Sequence, residues 1–187
     1  MKKVMLIVLI LVSFPIKVLA QSDLEKKNDS KDPLDVSNQK EQVQKYGVLT
    51  ISKVEEMKNN ADALYESESW EEAASAYETY AKKINWLANL LSQCVEPYYS
   101  ASYDDRKATS YSTLKQFIPF ESKANEYKRS RNIAYVKIGL CYKNLGDIEN
   151  AVIYLHQGLD LLDVKQVEYW KLATNAMAEI LNFTPSN

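Results

Sequence analysis

Side chains with an obvious potential for chemistry are few in this sequence, and they are scattered. His156 is the only histidine, and the one carboxylate at matching helical spacing is Asp160, four residues on. A general base needs an orienting partner and a reacting group within hydrogen-bond reach, so this pair alone predicts a solvated histidine. Asp104-Asp105 has the charge for a cation, but no further oxygen ligands follow at loop spacing. At the start of a helix the two aspartates serve to stabilise the N-terminus through its dipole. Cys94 and Cys141 are the only cysteines; there is no CxxC and no neighbouring histidine, so neither redox chemistry nor zinc is indicated. Packed thiols within helices are expected, with a Cys94–Cys141 bridge as the alternative. No Gly-rich phosphate loop, nucleophile elbow or metal motif is present. The sequence therefore predicts a non-enzymatic protein with no catalytic residue, metal or cofactor.

The aromatic residues are the more distinctive chemistry. Tyr98, Tyr99, Tyr103 and Tyr111 crowd residues 97–120, around the charged run Asp104-Asp105-Arg106-Lys107. Tyrosine rings stack on sugars, which gives one reading, a glycan- or small-molecule-binding accessory protein. They also pack well between helices, which is the plainer one.

These residues must be positioned by helices. Only four glycines occur in 187 residues, and the long runs of Ala, Leu, Glu, Lys and Tyr favour helix. The formal charge is −2, and it becomes more negative once Lys2, Lys3 and Lys17 are set aside with the leader. That balance argues against a nucleic-acid footprint, which requires a basic face.

Residues 1–20 read as a secretory signal peptide: Lys2-Lys3, an apolar run from Val4 to Phe14, and a small residue, Ala20, before the expected cut. Pro15 and Lys17 interrupt the run too early for a membrane span of roughly 20 apolar residues. The expectation is a cleaved leader, a periplasmic or secreted destination, and no stable membrane insertion afterwards. Residues 21–47 are polar and charged, and they cannot bury enough apolar surface to offset the entropy of ordering. They are expected to form a flexible linker, with at most a short amphipathic turn around Val36 to Val43.

From residue 48 to 182 the chain is expected to be one helical domain. Ser52-x-x-Glu55 and Ser69-x-x-Glu72 have the form of capping boxes. The second opens a helix with Trp70, Ala73, Tyr77, Tyr80 and Ile84 on one face, running until Pro97. A short helix from about Asp105 to Phe117 should end at Pro119, and a long one should then run from Phe120 or Glu121 to Asn144. The two long helices could pair antiparallel, leaving the tyrosine-rich crossover at one end. A last helix carries Val167, Tyr169, Leu172, Ala173, Ala176 and Ile180.

Between Tyr135 and Asp163 the spacing Tyr135-x-x-Ile138-Gly139-x-x-Tyr142, then Gly146, then Ala151-x-x-x-Leu155 and Gly158, resembles a tetratricopeptide repeat. Trp70-Glu71-Glu72-Ala73-x-x-x-Tyr77 is similar to Ile148-Glu149-Asn150-Ala151-x-x-x-Leu155. In that earlier repeat Ala61 stands for Gly139, Asn60 for Ile138 and Glu68 for Gly146. Tyr135 to Tyr169, Ile138 to Leu172 and Gly139 to Ala173 are each separated by 34 residues, the period of the repeat. The resemblance implies an all-α fold of helical hairpins: repeat-like 52–95, an insertion at 97–120, a repeat at 121–163 and a capping helix at 165–182. It departs from the family's pattern at Asp163, where the family often has proline. A second departure is the 78-residue step from Ala73 to Ala151, 44 more than one period.

The family binds partners through the first helix of each repeat. That implies an exported scaffold for protein–protein interaction, with an inner face carrying Glu55, Lys58, Asp62 and Tyr65, then Val136, Leu140, Lys143 and Asn144, then Trp170, Thr174 and Met177. Val136, Leu140, Trp170 and Met177 would form an apolar groove for a peptide. Alternatively, the insertion or the terminal arm covers them and they are core.

Overall fold

A computed structural model describes residues 35–184, with the Pro97 side chain excepted; the leader and most of the linker expected from the sequence lie outside them. Among the described residues the chain is all-α. Its helices are α1 (Ser37–Tyr46), α2 (Ile51–Glu66), α3 (Trp70–Gln93), α4 (Glu96–Tyr99), α5 (Tyr103–Ala108), α6 (Tyr111–Leu145), α7 (Ile148–Leu161) and α8 (Val167–Ile180). Among the described residues, Asp35 to Gln42 cluster separately from the helical body that begins at Val43. The amphipathic turn expected near Val36 is thus a ten-residue helix, and within the body Tyr46 stacks on Trp86.

The body is built on two helical hairpins, α2/α3 and α6/α7, with α3 and α6 antiparallel between them. Antiparallel pairing follows from the cross-links: Glu78 lies against Tyr142, and Asn85 against Arg131. One core joins Val54 and Ala61 of α2, Tyr77 and Ile84 of α3, and Tyr127, Ile138 and Cys141 of α6. A second, smaller one gathers Val136, Leu155, Ala173 and Ala176 between α6, α7 and α8. Asn60 stands where Ile138 stands in the other hairpin, and it is exposed. Ile138, by contrast, is fully buried.

The two hairpin turns have one geometry. Glu68 and Gly146 both take left-handed backbone, with φ of 58° and 79°. In each turn two N–H groups reach back over the last helical turn: Glu68 to Tyr65 and Ser69 to Leu64, then Gly146 to Lys143 and Asp147 to Tyr142. This doubled closure satisfies carbonyls that a helix end leaves free. Glu68 pays the side-chain penalty that Gly146 escapes. Between α6 and α7 glycine serves closeness instead. A Cβ on Gly139 would lie 2.7 Å from Leu155 Cγ, and one on Gly158 2.7 Å from Val136 Cγ2.

Several expectations need correction. The Pro119 position is no element boundary: α6 runs through it for 35 residues. Proline removes only its own bond to the Lys115 carbonyl, and both residues are exposed, so water can serve that oxygen. The break falls earlier, at Thr109, whose backbone is extended (ψ 127°), and Ser110 then caps α6 by accepting from the Thr113 N–H. Neither capping box forms as read. Thr50, not Ser52, caps α2 through the Lys53 N–H, and Ser69 makes no cap bond to α3; its hydroxyl pairs with that of Ser67. Both cysteines are free and Cys141 is buried, as favoured from the sequence, but Cys94, expected to be packed, is exposed. At α8 the 34-residue spacing matches burial at some positions and not at others. Gly139 and Ala173 are both buried, but Leu172, which stands 34 residues after Ile138, is 44% exposed where Ile138 is 0%.

Two substitutions test these turns and contacts. Glu68→Gly should stabilise the protein by about 1 kcal/mol, since it removes left-handed strain at some cost in chain entropy. Gly139→Ala should destabilise it by about 1–3 kcal/mol by forcing α6 and α7 apart. Urea denaturation of both variants reads the opposite signs, and equal midpoints would contradict the geometry.

Candidate functional site

Lysine in the middle of a buried helix face calls for a partner, and Lys137 sits between the fully buried Val136 and Ile138. Its ammonium donates to Asp62 Oδ1 at 2.6 Å and to the Tyr77 hydroxyl oxygen at 2.8 Å. The Tyr77 hydroxyl in turn donates to Asp62 Oδ1. Lys58, one turn before Asp62 on α2, donates to its other oxygen at 2.6 Å. The Lys137 ammonium also lies 5.1 Å from the ring centroids of both Tyr65 and Tyr77, within cation–π range. Three helices thus meet on one carboxylate: α2 supplies Asp62 and Lys58, α3 supplies Tyr77, and α6 supplies Lys137.

The electrostatics follow from this geometry. Burial alone would raise the Asp62 pKa, but hydrogen bonds from Lys137, Lys58 and Tyr77 outweigh it and hold the carboxyl at about 2. Burial and the adjacent Asp62 charge push the Tyr77 hydroxyl strongly upward. Two lysines on one aspartate leave one positive charge in excess.

This knot forms one wall of a cavity of about 50 Å³, closed by Tyr80, Ser130, Ile133, Ala134 and, from α8, Tyr169. A wider cleft of about 310 Å³ shares Ser130, Ile133 and Tyr169 with it. Its remaining lining is Glu126 and Arg129 of α6 together with Lys165, Gln166 and Glu168. Helices α2, α6 and α8 therefore converge on a narrow inner face, whose outer cleft carries charges of both signs.

The residues singled out in the sequence divide between core, inner face and surface. Lys58 and Asp62 lie at the centre of the knot. Tyr65 is half-buried, edge-on to Trp70 and Tyr77. Val136 is fully enclosed in the second core, and Leu140 and Met177 pack against it. Of the apolar set only Trp170 stands out, half exposed, so those four residues do not form a continuous open groove. Lys143 pairs with Glu179 of α8, and Asn144 is exposed. Lys137 and Tyr169 were missed as site residues. The signal for Lys137 was its charge inside a run of buried positions.

At the crossover, Tyr98 packs against Tyr99 and Phe117. Tyr103 and Tyr111 project into solvent, 70% and 76% exposed. Tyr99 borders a cavity of about 320 Å³ with Ser92, Glu96, Glu121, Asn125 and Lys128. Its hydrogen bond to the Glu121 carboxylate raises it to about 12. His156 and Asp160 face each other at 3.4 Å on the open surface of α7. Among the described residues no group of three or more metal-ligating side chains could hold an ion, and no helix is long and apolar enough to cross a membrane.

No family model, curated protein or solved structure matches the chain.

The knot predicts an acid-sensitive fold. Because the folded pKa of Asp62, about 2, lies below its ordinary 3.8, the unfolded chain binds more protons between those values, and stability rises with pH there. The contribution is complete above about pH 4 and is lost as pH falls toward 2. Asp62→Asn should cost about 2 kcal/mol at pH 6, and that difference should shrink on acidification. Urea midpoints of both proteins at pH 6, 4 and 2.5 measure it; a constant gap across this range would contradict the assignment.

Proposed function

We propose that the chain is a non-enzymatic, exported scaffold of tetratricopeptide type that binds another protein. The observation that carries the repeat reading is the shared 78-residue register of the two hairpins. Ala61 and Gly139, Ala73 and Ala151, and Tyr77 and Leu155 occupy like positions, and each of these residues is buried. The left-handed turns at Glu68 and Gly146 fall in the same register. Stacked hairpins bury a continuous core only by standing side by side, so they present one side chain set per first helix along a common face. Here that face carries Lys58, Lys137, Arg129, Lys165 and Tyr169, with Trp170 and Asn144 exposed on α8 and α6. The leader and polar linker of the sequence support export on a tether, and the position of α8 after the second hairpin supports a capping role for it.

A second reading has its own observation, the cavity beside Tyr99 at the crossover. An aromatic ring next to Glu96, Glu121, Asn125 and Lys128 offers a stacking surface and both hydrogen-bond donors and acceptors for a polyhydroxylated ligand.

Site-specific photo-crosslinking in the native host separates the two. A crosslinker at Trp170 or Asn144 should give a discrete protein adduct, whereas one at Lys82, well exposed on α3, should not. Equal labelling at all three positions, or none, would count against a protein partner on the inner side. A melting temperature raised by an oligosaccharide panel in the wild type, and left flat by Tyr99→Ala, would instead support the crossover site.

A further inference from the structure

The helix closing the inner face is held differently from the others. Only Ala173 and Ala176 of α8 are fully buried, with Met177 and Ile180 partly covered, so its contact with α6 and α7 is made largely by small side chains. Small residues give little apolar area to lose on separation. The N-terminal half of α8 does not rest on solid core, because both inner cavities lie beneath Tyr169.

The two ends of α8 are fastened by polar groups of different kinds. At the start Gln166 is buried; its side chain donates to the Arg129 carbonyl at 3.0 Å and accepts from the Asp163 N–H at 3.2 Å. Those bonds fix the turn between α7 and α8 on α6 while leaving Val167 onward free of side-chain capping. Near the other end Glu179 pairs with Lys143 of α6, and Glu179 is well exposed.

We infer that α8 is a hinged lid over the inner cleft. Gln166 is the pivot, the Lys143–Glu179 ion pair is the latch, and Tyr169 is the side chain that closes the cavity beside Asp62 and Lys137. Opening moves α8 away from α6 without disturbing the first core, to which it contributes nothing. The device does not depend on what the face binds, since its motion belongs to the free protein.

Two positions on α6 provide the test. Ile133 lines both cavities under Tyr169 and belongs to neither core. Cys141 is buried in the first core and becomes accessible only when that core opens. In the full-length chain carrying Cys94→Ser and Ile133→Cys, a thiol reagent should modify position 133 faster than Cys141. Adding Glu179→Gln should raise the rate at 133 about two- to fivefold, the equilibrium change expected for a partly exposed ion pair, and leave Cys141 unchanged. Hydrogen exchange on the unmutated protein gives a second reading: α8 amides should exchange as a block ahead of those in α3 and the second half of α6. Equal labelling at the two positions, unaffected by Glu179→Gln, overturns the lid, as does α8 exchange no faster than that of α3.

Discussion

A single carboxylate, Asp62, ties the two hairpins of this protein together. Hydrophobic burial explains why α2, α3 and α6 associate, but it is non-directional and tolerates sliding. The bonds from Lys58, Tyr77 and Lys137 are directional, and each comes from a fixed point on its helix. Any rotation of α6 that kept Ile138 buried but moved Lys137 would strand an ammonium in a largely apolar surrounding, at a cost of several kcal/mol. The knot therefore selects one register among those that apolar packing would accept. Its two-to-one excess of lysine also sets the sign of the potential at the deep end of the inner face.

The second hairpin achieves its register by the opposite means. Between α6 and α7 no charge is involved; Gly139 and Gly158 allow backbones to approach until Leu155 and Val136 fill the gaps. Tyr80 and Ala61 hold the corresponding places in the first hairpin and both are buried, so side chains stand there where glycine stands in the second hairpin. One architecture is thus reached through two different chemistries within a single chain.

Much of this was legible before any coordinates. The glycine, alanine and aromatic spacing of residues 135–163 is a statement about helix contact, and helices with that spacing have few other ways to pack. Elements that depend on one local choice were less legible. Thr50 and Ser52 are both good caps, and the choice between them lies in where Leu49 must be buried, not in their types. Pro119 reads as a helix end because isolated propensity treats every lost bond alike; on an exposed stretch the lost bond is inexpensive. The exposure of Leu172 on α8 was not legible, because α8 leaves a turn at Leu162–Gln166 that buried Gln166 ties to the distant Arg129 carbonyl. Lys137 stood out by its charge among buried positions, but its partners Asp62 and Tyr77 come from two other helices far off in sequence.

The passage of α6 through Pro119 has a consequence of a metric kind. Tyr111, at the exposed crossover, and Lys137, in the knot, sit on one uninterrupted helix, about 39 Å apart along its axis at 1.5 Å per residue. Had the helix broken at the proline, a flexible joint would separate the two regions and their spacing would vary. Instead α6 acts as a ruler. A body that touches both the crossover and the inner face has to match that length, and a smaller one must choose between them.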